Sequence, residues 1–84
     1  MMADDGEQAG ESPAAALRAE RLRQDVARIA GDIAQTEQEV AATRRQLADR
    51  DPSRADEHLA AAAEAEDFAA HERAEQRRWQ DREP

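Results

Sequence analysis

The 84-residue sequence has no cysteine, no lysine and no tyrosine. Without cysteine there is neither a disulfide framework nor a thiolate metal site. Glycine and proline number three each, and the aromatics are Phe68 and Trp79 alone. Large apolar side chains are scarce as well. Of the hydrophobic residues, 21 are alanine. Apart from Met1 and Met2, ten larger ones remain: Leu17, Leu22, Val26, Ile29, Ile33, Val40, Leu47, Leu59, Phe68 and Trp79. Ordering a residue costs roughly 1.5 kcal/mol, offset mainly by buried apolar area, so a conventional globular core is excluded. A catalytic pocket must be concave and dry, and ten such residues do not build and close one. An enzyme is therefore not expected. No run of 18 apolar residues exists, so no membrane span is expected. Residues Met1–Pro13 lack the basic and apolar regions of a secretory signal, which makes the cytoplasm the expected location.

What the chain does have is alanine, charge and glutamine, the composition of long helices or coiled coils. Its net charge of −8 is uneven. Asp4, Asp5, Glu7 and Glu11 crowd the start. Residues 14–50 set seven arginines against six acids, and residues 51–84 set five arginines against ten acids. This balance favours solubility and disfavours binding to nucleic acid or anionic lipid.

Residues 1–12 show no periodicity and too little apolar surface to fold, so a disordered acidic tail is expected. Ser12-Pro13 then reads as a helix start. Serine accepts from orphan backbone donors, and proline suits the first helical position. A first helix is expected over 13–50, interrupted only by Gly31, which costs about 1 kcal/mol relative to alanine. Within it Leu22, Val26, Ile29, Ile33, Thr36, Val40, Thr43 and Leu47 are spaced alternately by four and three residues. That is a heptad seam, with Val26, Ile33, Val40 and Leu47 at a and Leu22, Ile29, Thr36 and Thr43 at d.

Asp51-Pro52-Ser53 breaks the pattern, because the residue before a proline is biased out of helical geometry. A turn is expected at 51–53, with Asp51 or Ser53 capping a second helix over 54–82. A short connection favours antiparallel neighbours, so the expected fold is all-α, a coiled-coil-like helical hairpin. The alternative is one long helix bent at Pro52. At 100° per residue the second helix carries Ala55, Leu59, Ala62, Ala63, Ala69, Ala70 and Ala74 on one side, expected to face the first helix. Ala61, Ala65, Phe68 and Trp79 fall nearly opposite, a face left for another chain. Folding back brings Asp56, Glu57, Glu64 and Glu66 towards Arg44, Arg45 and Arg50, in surface pairs worth about 0–1 kcal/mol each.

The candidate protein-interaction residues are Leu22, Val26, Ile29, Ile33, Val40, Leu47, Phe68 and Trp79. The seam is a helix-pairing surface, and helix 2, being mostly alanine, covers it poorly. Aromatic residues bury large area at low entropic cost and are enriched among binding hot spots. Self-pairing of the seam is weakly encoded. A parallel pair sets Asp25 to Ala30, Asp32 to Glu37 and Glu39 to Arg44, whereas an antiparallel pair opposes acids to acids. Packing of two hairpins, or capture of a foreign helix, fits better. Asp67, His71 and Glu75 share a face, but His58 lies well over 10 Å away along the helix at about 1.5 Å per residue. Solvated histidines, each paired with a nearby acid, are therefore expected, with no metal and no cofactor. Arg44-Arg45 and Arg77-Arg78 are flanked by acids and read as solvated faces. No phosphate loop, nucleophile elbow or HExxH motif is present. The turn Asp49-Arg50-Asp51-Pro52-Ser53 lacks the Trp-x-Gly of secreted WXG-type hairpins, and no family resemblance emerges. The expected function is a small non-enzymatic adaptor or regulator that associates with itself, as a homodimer or four-helix assembly, and binds another protein. The alternative is a purely structural hairpin that packs only with its own copies.

Overall fold

The computed structural model describes residues 12–82. The expected acidic tail lies outside the described residues, except for Ser12. Helix α1 spans Pro13–Arg50 and helix α2 spans Ala55–Asp81, joined by a 3₁₀ turn at Pro52–Arg54. The two helices pack along each other as an all-α hairpin, not as a bent rod.

Local chemistry explains both ends of α1. Ser12 has extended backbone, and its Oγ accepts from the Ala15 N–H at 3.0 Å, with Pro13 as the first helical residue. At the other end Asp51 leaves helical geometry (φ −131°, ψ 74°) ahead of Pro52, while its N–H still donates to the Leu47 carbonyl at 2.9 Å.

The start of α2 differs from the sequence expectation. Neither Asp51 nor Ser53 caps it; Arg54 occupies the cap position and offers no side-chain hydrogen bond. The 3₁₀ turn takes up these residues instead. The Arg54 N–H donates to the Asp51 carbonyl at 2.9 Å, and Ser53 Oγ donates to Asp51 Oδ1 at 2.8 Å. Asp56 and Glu57 in the first turn of α2 supply the negative charge its N-terminus favours, and Arg54 pairs with Glu57 at 2.9 Å.

The core is alanine. Ala27, Ala30, Ala34, Ala41 and Ala48 of α1 meet Ala62, Ala65 and Ala69 of α2, with His58 the one buried polar residue among those described. On α1 the positions 27, 34, 41 and 48 repeat every seven residues, and Ala30 belongs to the neighbouring row 23, 30, 37 and 44. On α2 the row 55, 58, 62, 65 and 69 alternates by three and four, and every member is buried or half-buried. Each helix thus carries a small-residue heptad seam, and side chains this short let two backbones approach closely. Each buried methyl contributes about 0.8 kcal/mol, so the seam is thin as well as close.

This packing corrects the sequence reading of α2. The facing row runs between the two alanine clusters: Ala62 and Ala69 come from one and Ala65 from the other. Leu59, expected to face α1, is exposed, as are Ala63 and Ala70. Of the expected inter-helix charge pairs, the described residues show Arg45 with Glu66.

Gly31 sits on α1 where the Gln76 amide comes close. A Cβ built there would lie 2.6 Å from Gln76 Nε2. The obstruction is the free end of a flexible side chain, held by a 3.2 Å bond from Arg73 Nη1 to Gln76 Oε1. Swinging it away costs little, whereas alanine gains about 1 kcal/mol of helix propensity. Gly31→Ala is expected to stabilise the hairpin by about 0.5–1 kcal/mol. The melting temperature should then rise by a few degrees; a fall would show that the Gln76 contact matters more than propensity.

Candidate functional site

The large apolar seam of α1 does not face α2. Leu22 is 65% exposed, Ile29 50%, Val40 41% and Ile33 36%. Val26 and Leu47 are half-buried. At 100° per residue the alanine seam and the large-residue seam lie about 100° apart around α1. Helix α2 rests on the first and leans only against the edge of the second. That is why the d residues Leu22 and Ile29 stand further into solvent than the a residues Ile33 and Val40.

Helix α2 extends this outward face. Phe68 is 46% exposed and lines one groove with Glu37, Val40, Arg44, Ala61 and Glu64. Trp79 lines a second groove with Val26, Ile29, Ala30 and Ile33. The two grooves follow one another along the same junction of α1 and α2. The structure therefore brings Val26, Ile29, Ile33, Val40, Phe68 and Trp79 to one side of the hairpin. Leu22 continues the stripe towards the N-terminal end of α1, among Arg18, Arg21 and Asp25. Leu47 continues it towards the turn.

Trp79 has a double role. It is half-buried and also borders Glu20, Arg23 and Ala27 of α1, so it closes the open end of the hairpin while showing one edge to the groove. The Arg82 guanidinium lies 4.1 Å from its ring centroid, at cation–π distance. Beside it, hydrogen bonds from Arg23 and Gln24 hold the Glu20 carboxyl below the usual carboxylate range.

His58 corrects another expectation. It is buried and not solvated, and its partner is an arginine, not an acid. Arg44 Nη1 lies 3.1 Å from His58 Nδ1. Guanidinium can only donate, so as a hydrogen bond this contact uses Nδ1 as the acceptor. This contact tethers Arg44 to the α2 side of the groove. His71 is exposed. Among the described residues no group of three or more histidine, aspartate or glutamate side chains is placed to hold a metal ion. No helix among them is long and apolar enough to cross a membrane.

Sequence reasoning missed the alanine seam and His58, and a signal for both was present. Alanines at 27, 34, 41 and 48 keep a heptad phase, and 55, 58, 62, 65 and 69 keep a three–four alternation. Counting only large residues hid both rows. The chain matches no family model, no curated protein and no solved structure.

Proposed function

We propose that this chain is a non-enzymatic protein–protein interaction module, a small coiled-coil adaptor or regulator that acts by helix-on-helix packing. One observation carries the reading. The hairpin closes on alanine and leaves its large heptad residues, Leu22, Ile29, Ile33 and Val40, in solvent. Full burial of a Leu, Ile or Val side chain is worth about 1.5–3 kcal/mol, and a third to two thirds of each is still exposed. A helix laid along this stripe would therefore gain about 0.5–2 kcal/mol per residue, at least comparable to the buried methyls that close the hairpin. Contiguous apolar surface of this kind, rimmed by polar residues, marks interaction sites in soluble proteins. The occupant can be a helix of another protein or a further hairpin of the same sequence. Only the second would make the chain purely structural.

Photo-crosslinking in cells tests the reading. A photoreactive residue at Ile29 is expected to give a discrete protein adduct, and the same group at Ala70, exposed on another side, none. The adduct mass separates self-association from a foreign partner. Equal labelling from both positions, or no adduct from either, would contradict the proposal.

A further inference from the structure

The geometry points to a basic amphipathic helix of a partner protein, and not a second copy of this chain, as the occupant of the groove between α1 and α2. This rests on the reading of the chain as a helix-pairing module. The groove has an apolar floor and an acidic rim. Val26, Ile33 and Val40 of α1 and Phe68 and Trp79 of α2 supply the apolar contacts. Glu37, Glu64, Glu72 and Glu75 line the same grooves, against the single arginine Arg44. On the outer edge of the stripe, the heptad g positions hold Asp25, Asp32 and Glu39. From Val26 to Val40 carboxylates therefore border the stripe on both sides, whereas at its Leu22 end Arg18 and Arg21 stand beside Asp25.

The nearby arginines leave most of this charge uncompensated. Arg28 pairs with Asp25 at 3.1 Å and Arg78 with Glu75 at 2.6 Å. Arg44 donates to His58. Among the described residues Asp32, Glu37, Glu39, Glu64 and Glu72 have no ion-pair partner. A second copy laid antiparallel on the stripe would set Asp25, Asp32 and Glu39 against their own counterparts. Like charges across an interface disfavour that partner, whereas opposite charges steer encounter and fix register. A helix with an apolar seam and lysine or arginine on both flanks answers each feature of the groove. From Leu22 to Val40 the stripe runs about 27 Å at 1.5 Å per residue, room for about five turns.

The test uses the full chain and two designed helical peptides of about 21 residues, equal in length to about 31 Å of helix. Both carry the same leucine and isoleucine seam. One has lysine and arginine on its flanks and the other glutamate. In fluorescence anisotropy at about 0.1 M salt, the basic peptide is expected to bind at least about tenfold more tightly than the acidic one. The preference should shrink towards about 1 M salt, where the Debye length falls to about 3 Å. A Glu64→Lys/Glu72→Lys variant, with its melting curve checked, should narrow or reverse it. Ile33→Asp adds negative charge but puts a carboxylate in the middle of the apolar seam, so it should weaken binding at least about a hundredfold; undiminished binding would mean that net charge alone attracts the peptide, and would overturn the inference. Equal affinity for both peptides, no binding of either, or a chain dimer that persists against excess basic peptide would also overturn it. Any of these with a discrete Ile29 adduct in cells would leave the helix-pairing reading standing without this occupant.

Discussion

Ile33→Asp leaves the isolated hairpin folded and sharply weakens its pairing with another helix. Two magnitudes separate these effects. Ile33 is 36% exposed and stands at the edge of the hairpin, outside the alanine seam. Exchanging it for aspartate changes helix propensity by no more than about 0.7 kcal/mol, and the new carboxylate stays in water. A complex covers the third of Ile33 that is still exposed, worth about 0.5–1 kcal/mol. The variant loses this plus the cost of dehydrating a charge, together at least about a hundredfold in affinity. Circular dichroism of dilute protein should show nearly unchanged helix content, and crosslinking from Ile29 should disappear. Helix content that collapses in the dilute variant would mean that the stripe is internal to the hairpin.

Ala41→Leu does the reverse, and its effect on the monomer is the larger. Leucine is the favoured residue of most coiled-coil seams, so sequence intuition expects a gain. Ala41 is 1% exposed and clusters with Ala62 and Ala65. Three more heavy atoms there force the helices apart along a seam built on their close approach. Overpacking of this kind costs about 1–3 kcal/mol. For a small hairpin whose core is methyl groups, that is a large part of the total stability. Thr43→Leu installs the same residue two positions away, on the exposed stripe and with one heavy atom added, and is expected to stay within about 0.5 kcal/mol. Urea melts of both variants decide the matter. Destabilisation confined to position 41 identifies the alanine seam as the internal one, and the opposite pattern identifies the stripe.

The pair of variants also marks how far the sequence could be read. The heptad stripe Leu22–Leu47 was legible because large β-branched and aliphatic residues announce their spacing. The hairpin was legible because Pro52 interrupts an otherwise continuous helical pattern, and the Ser12 cap because it needs only neighbouring backbone. The direction of the stripe was not legible. Two seams share α1, and which one α2 selects depends on how near the backbones can come, a tertiary property. The same close approach made His58 a buried residue, although Asp56 and Glu57 beside it suggest a solvated one. The cap of α2 was misplaced because a 3₁₀ turn uses the same residues, Asp51 and Ser53, that cap helices elsewhere. Phe68 fell on the outward face as expected, while Trp79 divides its ring between that face and the end of the hairpin. Replacing both aromatics at once would disturb both the hairpin and its surface, so Phe68 is the cleaner probe of the surface alone.

The absence of cysteine from the natural sequence allows the most direct test of which face of α1 meets α2. Two double variants suffice, Ala41→Cys/Ala62→Cys on the alanine seam and Val40→Cys/Ala63→Cys on the rotated alternative. In dilute solution under mild oxidation, the first is expected to close rapidly and almost completely to an intramolecular disulfide, and the second to remain reduced or to link between chains. A fast intramolecular bond in the second variant with none in the first would place the large residues inside the hairpin and contradict the account.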